Sequence, residues 1–148
     1  MNSEQCLREP PEHAFAPGLS LHAKLPKGMV VLVEDEGFLR DLAGDILEWG
    51  GHRVLKACDA ETATVLFRDY GGIVDLLLTD VLLPGKSGRQ LAKQMRELIP
   101  ALKIMFISGS AENFGLRSGI AEPSTSYLQK PFSAGSLLEK VDQLLAAR

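Results

Sequence analysis

The 148-residue chain carries only two cysteines, Cys6 and Cys58, and three histidines, His13, His22 and His52. Neither set has metal-ligand spacing, so a zinc centre is excluded. A disulfide between the two cysteines is possible in principle, but a reduced pair in a cytosolic protein is the expectation. A surplus of positive charge is also missing. The formal net charge of -3 leaves no electrostatic footprint for nucleic acid. There is no run of about 18 apolar residues to cross a membrane. The polar start Met1-Asn2-Ser3-Glu4-Gln5 lacks the apolar core of a secretory signal. Internal repeats and low-complexity tracts are absent. These absences leave a cytoplasmic protein with no call on nucleic acid or membrane.

What is there suits one globular domain. Hydrophobic residues make up 45% and charged residues 24%, ordinary values for a chain able to bury its own core. Residues 1–27 hold four of the eight prolines (Pro10, Pro11, Pro17 and Pro26) and no sustained period. They read as a flexible or loosely docked extension, with the domain proper over 28–148.

Within that domain, strands and helices alternate five times. Val30–Val33 is a β-branched strand, followed by a helix with Phe38, Leu39, Leu42, Ile46 and Leu47 as its apolar stripe and Gly50-Gly51 at its end. Arg53–Ala57 is the second strand, and Asp59 or Ala60 opens a helix that stops at Gly71-Gly72. Asp75–Thr79 is the third strand. A helix over Gly88–Ile99 carries Leu91, Met95 and Leu98 on one face, closed by Pro100. Lys103–Ile107 and Ser126–Gln129 are the last strands, and Ser133 caps a final helix over Ala134–Ala147. Between those two strands, residues 111–126 hold Gly115, Gly119 and Pro123, which predict at most a short or irregular helix. Alternation of this kind predicts an α/β fold, a parallel sheet covered by helices on both faces.

All strands of a parallel sheet point their C-terminal ends the same way. Glu34 and Asp35, Asp80, Ser108 and Lys130 each follow a strand directly, so all five gather at one edge. Each has a bland reading. Asp80 suits a turn or cap before Pro84-Gly85, Glu34 and Asp35 suit the cap of the first helix, and Lys130 suits a solvated surface. Their joint placement after four different strands favours chemistry. Carboxylates so close repel one another unless a cation or raised pKa values relieve them. Hard oxygen ligands with open positions suit Mg²⁺. A carboxylate, Mg²⁺, a lysine and a hydroxyl are the parts needed for phosphoryl transfer to an aspartate.

The motifs Val30-Val-Leu-Val-Glu-Asp-Glu36, Asp80-x-x-Leu-Pro-x-x-x-Gly88, Ile107-Ser-Gly109 and Tyr127-Leu-Gln-Lys-Pro-Phe132 resemble the receiver domain of two-component response regulators. The likeness covers about residues 28–148. It implies a flavodoxin-like sheet of order 2-1-3-4-5, carried over from the chemotaxis receiver. It also implies that Asp80 is the phosphoacceptor. Asp35 and Asp80 then bind Mg²⁺ directly, the Leu82 backbone carbonyl is a third ligand, and Glu34 acts through water. Ser108 and Lys130 hold the phosphoryl group, with Ser108 and Tyr127 as switch residues and Lys130-Pro131 as a cis bond.

The implied donor is a histidine kinase or histidine phosphotransfer protein, and the output is an unidentified downstream protein. The domain is then a signalling switch, an enzyme only in its own phosphotransfer and dephosphorylation. Three positions depart from the usual pattern. Serine stands for the commoner threonine at 108. Leu82 stands where a polar residue often contacts an attacking water. The 111–126 segment is more like receivers of hybrid histidine kinases. With the chain ending after the last helix, the expectation is a stand-alone receiver or one cut from a larger kinase. The alternative is a pseudo-receiver, never phosphorylated, that acts only as an interaction module. A dehalogenase-like phosphatase needs a second acid where Leu82 stands, and flavin phosphate would be repelled by Glu34-Asp35-Glu36.

Overall fold

The computed structural model describes residues 25–109 and 124–147. Its centre is the pair β1 (Met29–Val33) and β3 (Leu76–Asp80), every residue of which is buried. The apolar runs Met29–Val33 and Leu76–Leu78 are what strands covered on both faces require. Outside them lie β2 (Arg53–Ala57) on one side, then β4 (Lys103–Ser108) and β5 (Thr125–Gln129) on the other. The five parallel strands follow the order β2-β1-β3-β4-β5, as the resemblance implied.

Side chains alternate between the two faces of each strand. Val31, Val33, Leu77, Ile104 and Phe106 pack against α2 (Ala60–Tyr70) and α3 (Gly88–Leu98). Val30, Leu32, Leu76, Leu78, Met105 and Ile107 pack against α1 (Gly37–Trp49) and α4 (Ala134–Ala146). Burying each large aliphatic chain contributes roughly 1.5–3 kcal/mol. Truncating one in the middle, Leu78→Ala for instance, costs about 2–5 kcal/mol.

Among the described residues, three of the four α-helices begin on a side-chain cap. Asp59 accepts from the Thr62 backbone N–H (2.7 Å), Ser87 forms a capping box with Gln90, and Ser133 accepts from Ser136 N–H (3.0 Å). Helix α1 has Glu36 at its N-cap and no side-chain cap. Glu34 and Asp35 are therefore not its caps, and Asp80 is not the cap of α3, where Ser87 has that role.

The expected apolar stripe of α1 needs correction. Phe38 is 73% and Leu42 42% exposed, whereas Arg40 is 4% exposed. The inward face is Arg40, Ala43, Gly44 and Leu47, at spacing i, i+3, i+4, i+7. Its small residues let the helix lie close to the sheet, which rotates the bulkier Phe38 and Leu42 outward. Leu98, the last residue of α3, is likewise 70% exposed. Cys58 is disulfide-bonded, against the expectation of a reduced pair, and the chain's only other cysteine, Cys6, lies outside the described residues.

Most of the irregular segment expected over 111–126 also falls outside the described residues. Within 124–126, Ser124 is a turn residue with φ +58 and Thr125 already opens β5. No helix among the described residues is long and apolar enough to cross a membrane.

Candidate phosphoryl-transfer site

Strand register assembles the site. Val33 pairs with Thr79, Asp80 with Ile107, and Ser108 with Gln129. Continuing the first pairing by one residue sets Glu34 beside Asp80. Ser108 is the residue after Asp80's partner Ile107, and Lys130 the residue after Ser108's partner Gln129, so all four stand along the C-terminal edge of the sheet. Carboxylate oxygens of Glu34, Asp35 and Asp80 all lie within 4.8 Å of one another. Glu34 and Asp80 are buried and Asp35 is exposed, so the cluster has a closed floor and an open mouth.

The ammonium of Lys130 is the cation already there. It donates to Asp80 Oδ2 (2.8 Å) and to Glu34 Oε2 (3.0 Å). The other Glu34 oxygen, Oε1, accepts from Glu36 N–H (3.2 Å). Burial, reinforced by the adjacent Asp80 carboxylate, raises the Glu34 pKa to about 7 even though Lys130 opposes the shift. Lys130 is shifted upward as well, but against the effect of burial. Burial alone lowers its pKa, but its bonds to Asp80 and Glu34 and their charges outweigh that and hold it above the ordinary value. One lysine thus faces three carboxylates, and the surplus negative charge on hard oxygen donors fits a small divalent cation.

The backbone of Asp80 is clamped from below. The Thr79 hydroxyl donates to the Asp80 carbonyl (2.9 Å), and Gly88 N–H donates to Val81 O (2.9 Å). A Cβ on Gly88 would lie 2.0 Å from that Asp80 carbonyl oxygen, so only glycine lets α3 start this close. Gly85, with φ +75, makes the preceding turn.

Ser108 is buried at the end of β4, and its carbonyl accepts from Lys130 N–H (2.8 Å). The Lys130–Pro131 bond is cis. The Leu82 side chain is 66% exposed at the mouth of the loop. Tyr127 is half-buried on β5, with β4 between it and the strand that carries Asp80. Its ring stacks on Phe106 (centroids 5.6 Å apart, 29° between planes). The Arg89 guanidinium lies over both rings, 5.0 Å from Phe106 and 5.9 Å from Tyr127.

Sequence reasoning missed four of these parts: Thr79, Gly88 as a steric necessity, Arg40, and the Arg89 contact with the aromatic pair. Arg40 had a legible signal in its inward spacing with Ala43 and Leu47. Arg89 had none, because a cation over an aromatic ring is a tertiary contact with no local pattern.

The parallel sheet of order β2-β1-β3-β4-β5, with a carboxylate trio and a lysine at its C-terminal edge, has the arrangement that the sequence resemblance implied. Residues 30–142 match the response regulator receiver domain, so the chain belongs to that family of two-component signalling domains. It is 34% identical over 116 residues to the sensor kinase CckA of Brucella abortus, covering 78% of this chain and 12% of the kinase. It is also 34% identical over 119 residues to the transcriptional regulatory protein CpxR of Klebsiella pneumoniae, covering 78% of this chain and 48% of that protein. Among solved structures, the receiver domain of the hybrid histidine kinase CckA superposes with a TM-score of 0.69 at 35% identity, covering 80% of this chain and 99% of that one. A response regulator receiver protein from Sinorhizobium medicae gives 0.71 at 27% identity, covering 86% and 98%. The chain spans about half the length, or far less, of those two curated relatives.

Proposed function

We propose that residues 28–148 form a phosphorylation-activated receiver, with residues 1–27 as an appended extension. Asp80 accepts a phosphoryl group from the phosphohistidine of a kinase or phosphotransfer protein, with Mg²⁺ as cofactor. The change then switches binding to a downstream protein. The observation that carries this reading is the Lys130 ammonium bridging Glu34 and Asp80 within the carboxylate cluster.

In the transfer, a carboxylate oxygen of Asp80 forms a bond to phosphorus as the bond from phosphorus to the imidazole nitrogen breaks. The imidazole nitrogen keeps that electron pair. Asp35, Asp80 and the Leu82 carbonyl would hold Mg²⁺, with Glu34 acting through water. The ion supplies charge neutralisation for the phosphoryl oxygens. Lys130 leaves its place between the carboxylates to pair with one of those oxygens, and the Ser108 hydroxyl donates to another. Glu34, with its pKa near 7, releases its proton when a cation takes up the charge. Added charge at Asp80 draws Ser108 and Lys130 toward it. Tyr127, packed on the next strand, carries that shift to the face formed with α4. Exposed Phe38 and Leu82, three and two residues beyond Asp35 and Asp80, offer apolar contact to an incoming donor.

The test is to incubate the protein with acetyl phosphate and Mg²⁺, trap the acyl phosphate with borohydride, and map the modified peptide. Modification at Asp80 supports the reading. Modification at another carboxylate, or none, contradicts it and favours a module that binds partners without being phosphorylated.

A further inference from the structure

The carboxylate cluster has a second cation close by that no step of the transfer uses. Arg40, in the first turn of α1, is 4% exposed. Its Nη1 donates to the backbone carbonyl of Glu34 (2.9 Å), and its Nε is buried without a hydrogen-bond partner. No ion pair among the described residues includes it. A guanidinium held out of water with no carboxylate in contact is costly, and a methionine or leucine would fill the same space without that cost. The expense is intelligible if the guanidinium secures something the fold alone does not fix.

What it holds is the β1–α1 loop. Glu34 leaves β1 with its N–H bonded to Ala57 O (3.0 Å), and Arg40 N–H closes the first helical turn on Glu36 O (2.9 Å). Between these two anchors the chain turns and presents the Glu34 and Asp35 carboxylates to Asp80. The carbonyl of Glu34 is taken by Arg40, which reaches back across six positions. A peptide plane pinned there fixes the direction in which both acids leave the backbone.

We propose that Arg40 is a positioning residue for the divalent-cation site, setting the Glu34–Asp35 loop through the Glu34 carbonyl. This deepens the receiver reading above and rests on it. Charge and geometry act on the cation in opposite directions. A nearby positive charge repels Mg²⁺, so removing it without loss of geometry tightens binding. Removing a geometric clamp weakens binding.

The experiment measures Mg²⁺ affinity by calorimetry, and Mn²⁺ affinity by electron paramagnetic resonance, for the whole chain and for Arg40→Met and Arg40→Lys. Circular dichroism and urea unfolding accompany each variant. Loss of a charge-assisted hydrogen bond raises the dissociation constant about tenfold in Arg40→Met. Arg40→Lys, which keeps a donor but not the fork, falls between that variant and the wild type. Equal or tighter cation binding in folded Arg40→Met overturns the inference, even where its urea midpoint falls. If Arg40→Met does not fold, Arg40→Lys carries the test alone, and wild-type affinity there overturns the inference. Wild-type protein that binds neither cation sinks the receiver reading itself, and the proposal with it.

Discussion

Replacing Gly88 by alanine puts the close approach of α3 to the phosphoacceptor under direct strain. The added Cβ would sit 2.0 Å from the Asp80 carbonyl oxygen, 3.0 Å from its carbon and 3.1 Å from Thr79 Oγ1. Two of these neighbours are main-chain atoms of a fully paired central strand, so no rotamer change relieves the contact. Overpacking of this kind costs about 1–3 kcal/mol, and a backbone obstacle places it at the upper end. Alanine recovers at most about 1 kcal/mol of helix propensity over glycine. The net expectation is a loss of about 2 kcal/mol, or a melting temperature lower by roughly 4–8 °C. Urea titration and a thermal melt measure it. Because the displaced group is the acceptor's own carbonyl, labelling by acetyl phosphate should slow as well. A Gly88→Ala protein as stable as wild type, or stabilised by the propensity gain, refutes the geometry.

Glu34 has a folded pKa raised to about 7 from an ordinary 4.5, so the folded state binds the extra proton between those values. Its contribution is full below about 4.5 and is lost as pH rises through about 7. Urea midpoints in chelator should decline across that window, and Glu34→Gln should flatten the profile. An unchanged slope in the variant contradicts the assignment. Arg89→Ala removes the cation over Phe106 and Tyr127 and should cost about 0.5–1 kcal/mol in urea unfolding, with a change in near-ultraviolet dichroism from Tyr127. Ser87→Ala breaks the capping box of α3 and should cost about 1 kcal/mol, while the cation affinity stays as in wild type.

The sheet was legible because each strand is short, apolar and flanked by turn residues, and its order came from the resemblance. The site was legible for the same reason. A parallel sheet converts position after a strand into position in space, so the sequence positions of Glu34, Asp35, Asp80, Ser108 and Lys130 already predict a shared edge. Helix faces were harder. Hydrophobicity pointed to Phe38 and Leu42 as the inner stripe of α1, but Ala43 and Gly44 decide which side can approach the sheet, and the bulkier residues turn outward. Arg40 runs against the pattern, because a charged side chain is ordinarily solvated and this one is buried. Arg89 acts through a contact made across the fold that no local spacing encodes. Gly88 stands in the Asp80–Gly88 motif, and only its steric reason, the approach to the Asp80 carbonyl, needs the folded geometry.

The most direct test of the central claim is the intact mass of the protein after incubation with acetyl phosphate, with and without Mg²⁺, beside Asp80→Asn. The account predicts one added phosphoryl group, dependent on Mg²⁺ and absent from Asp80→Asn. Wild-type protein that gains no phosphoryl group under these conditions, or an Asp80→Asn protein that gains one equally well, contradicts it.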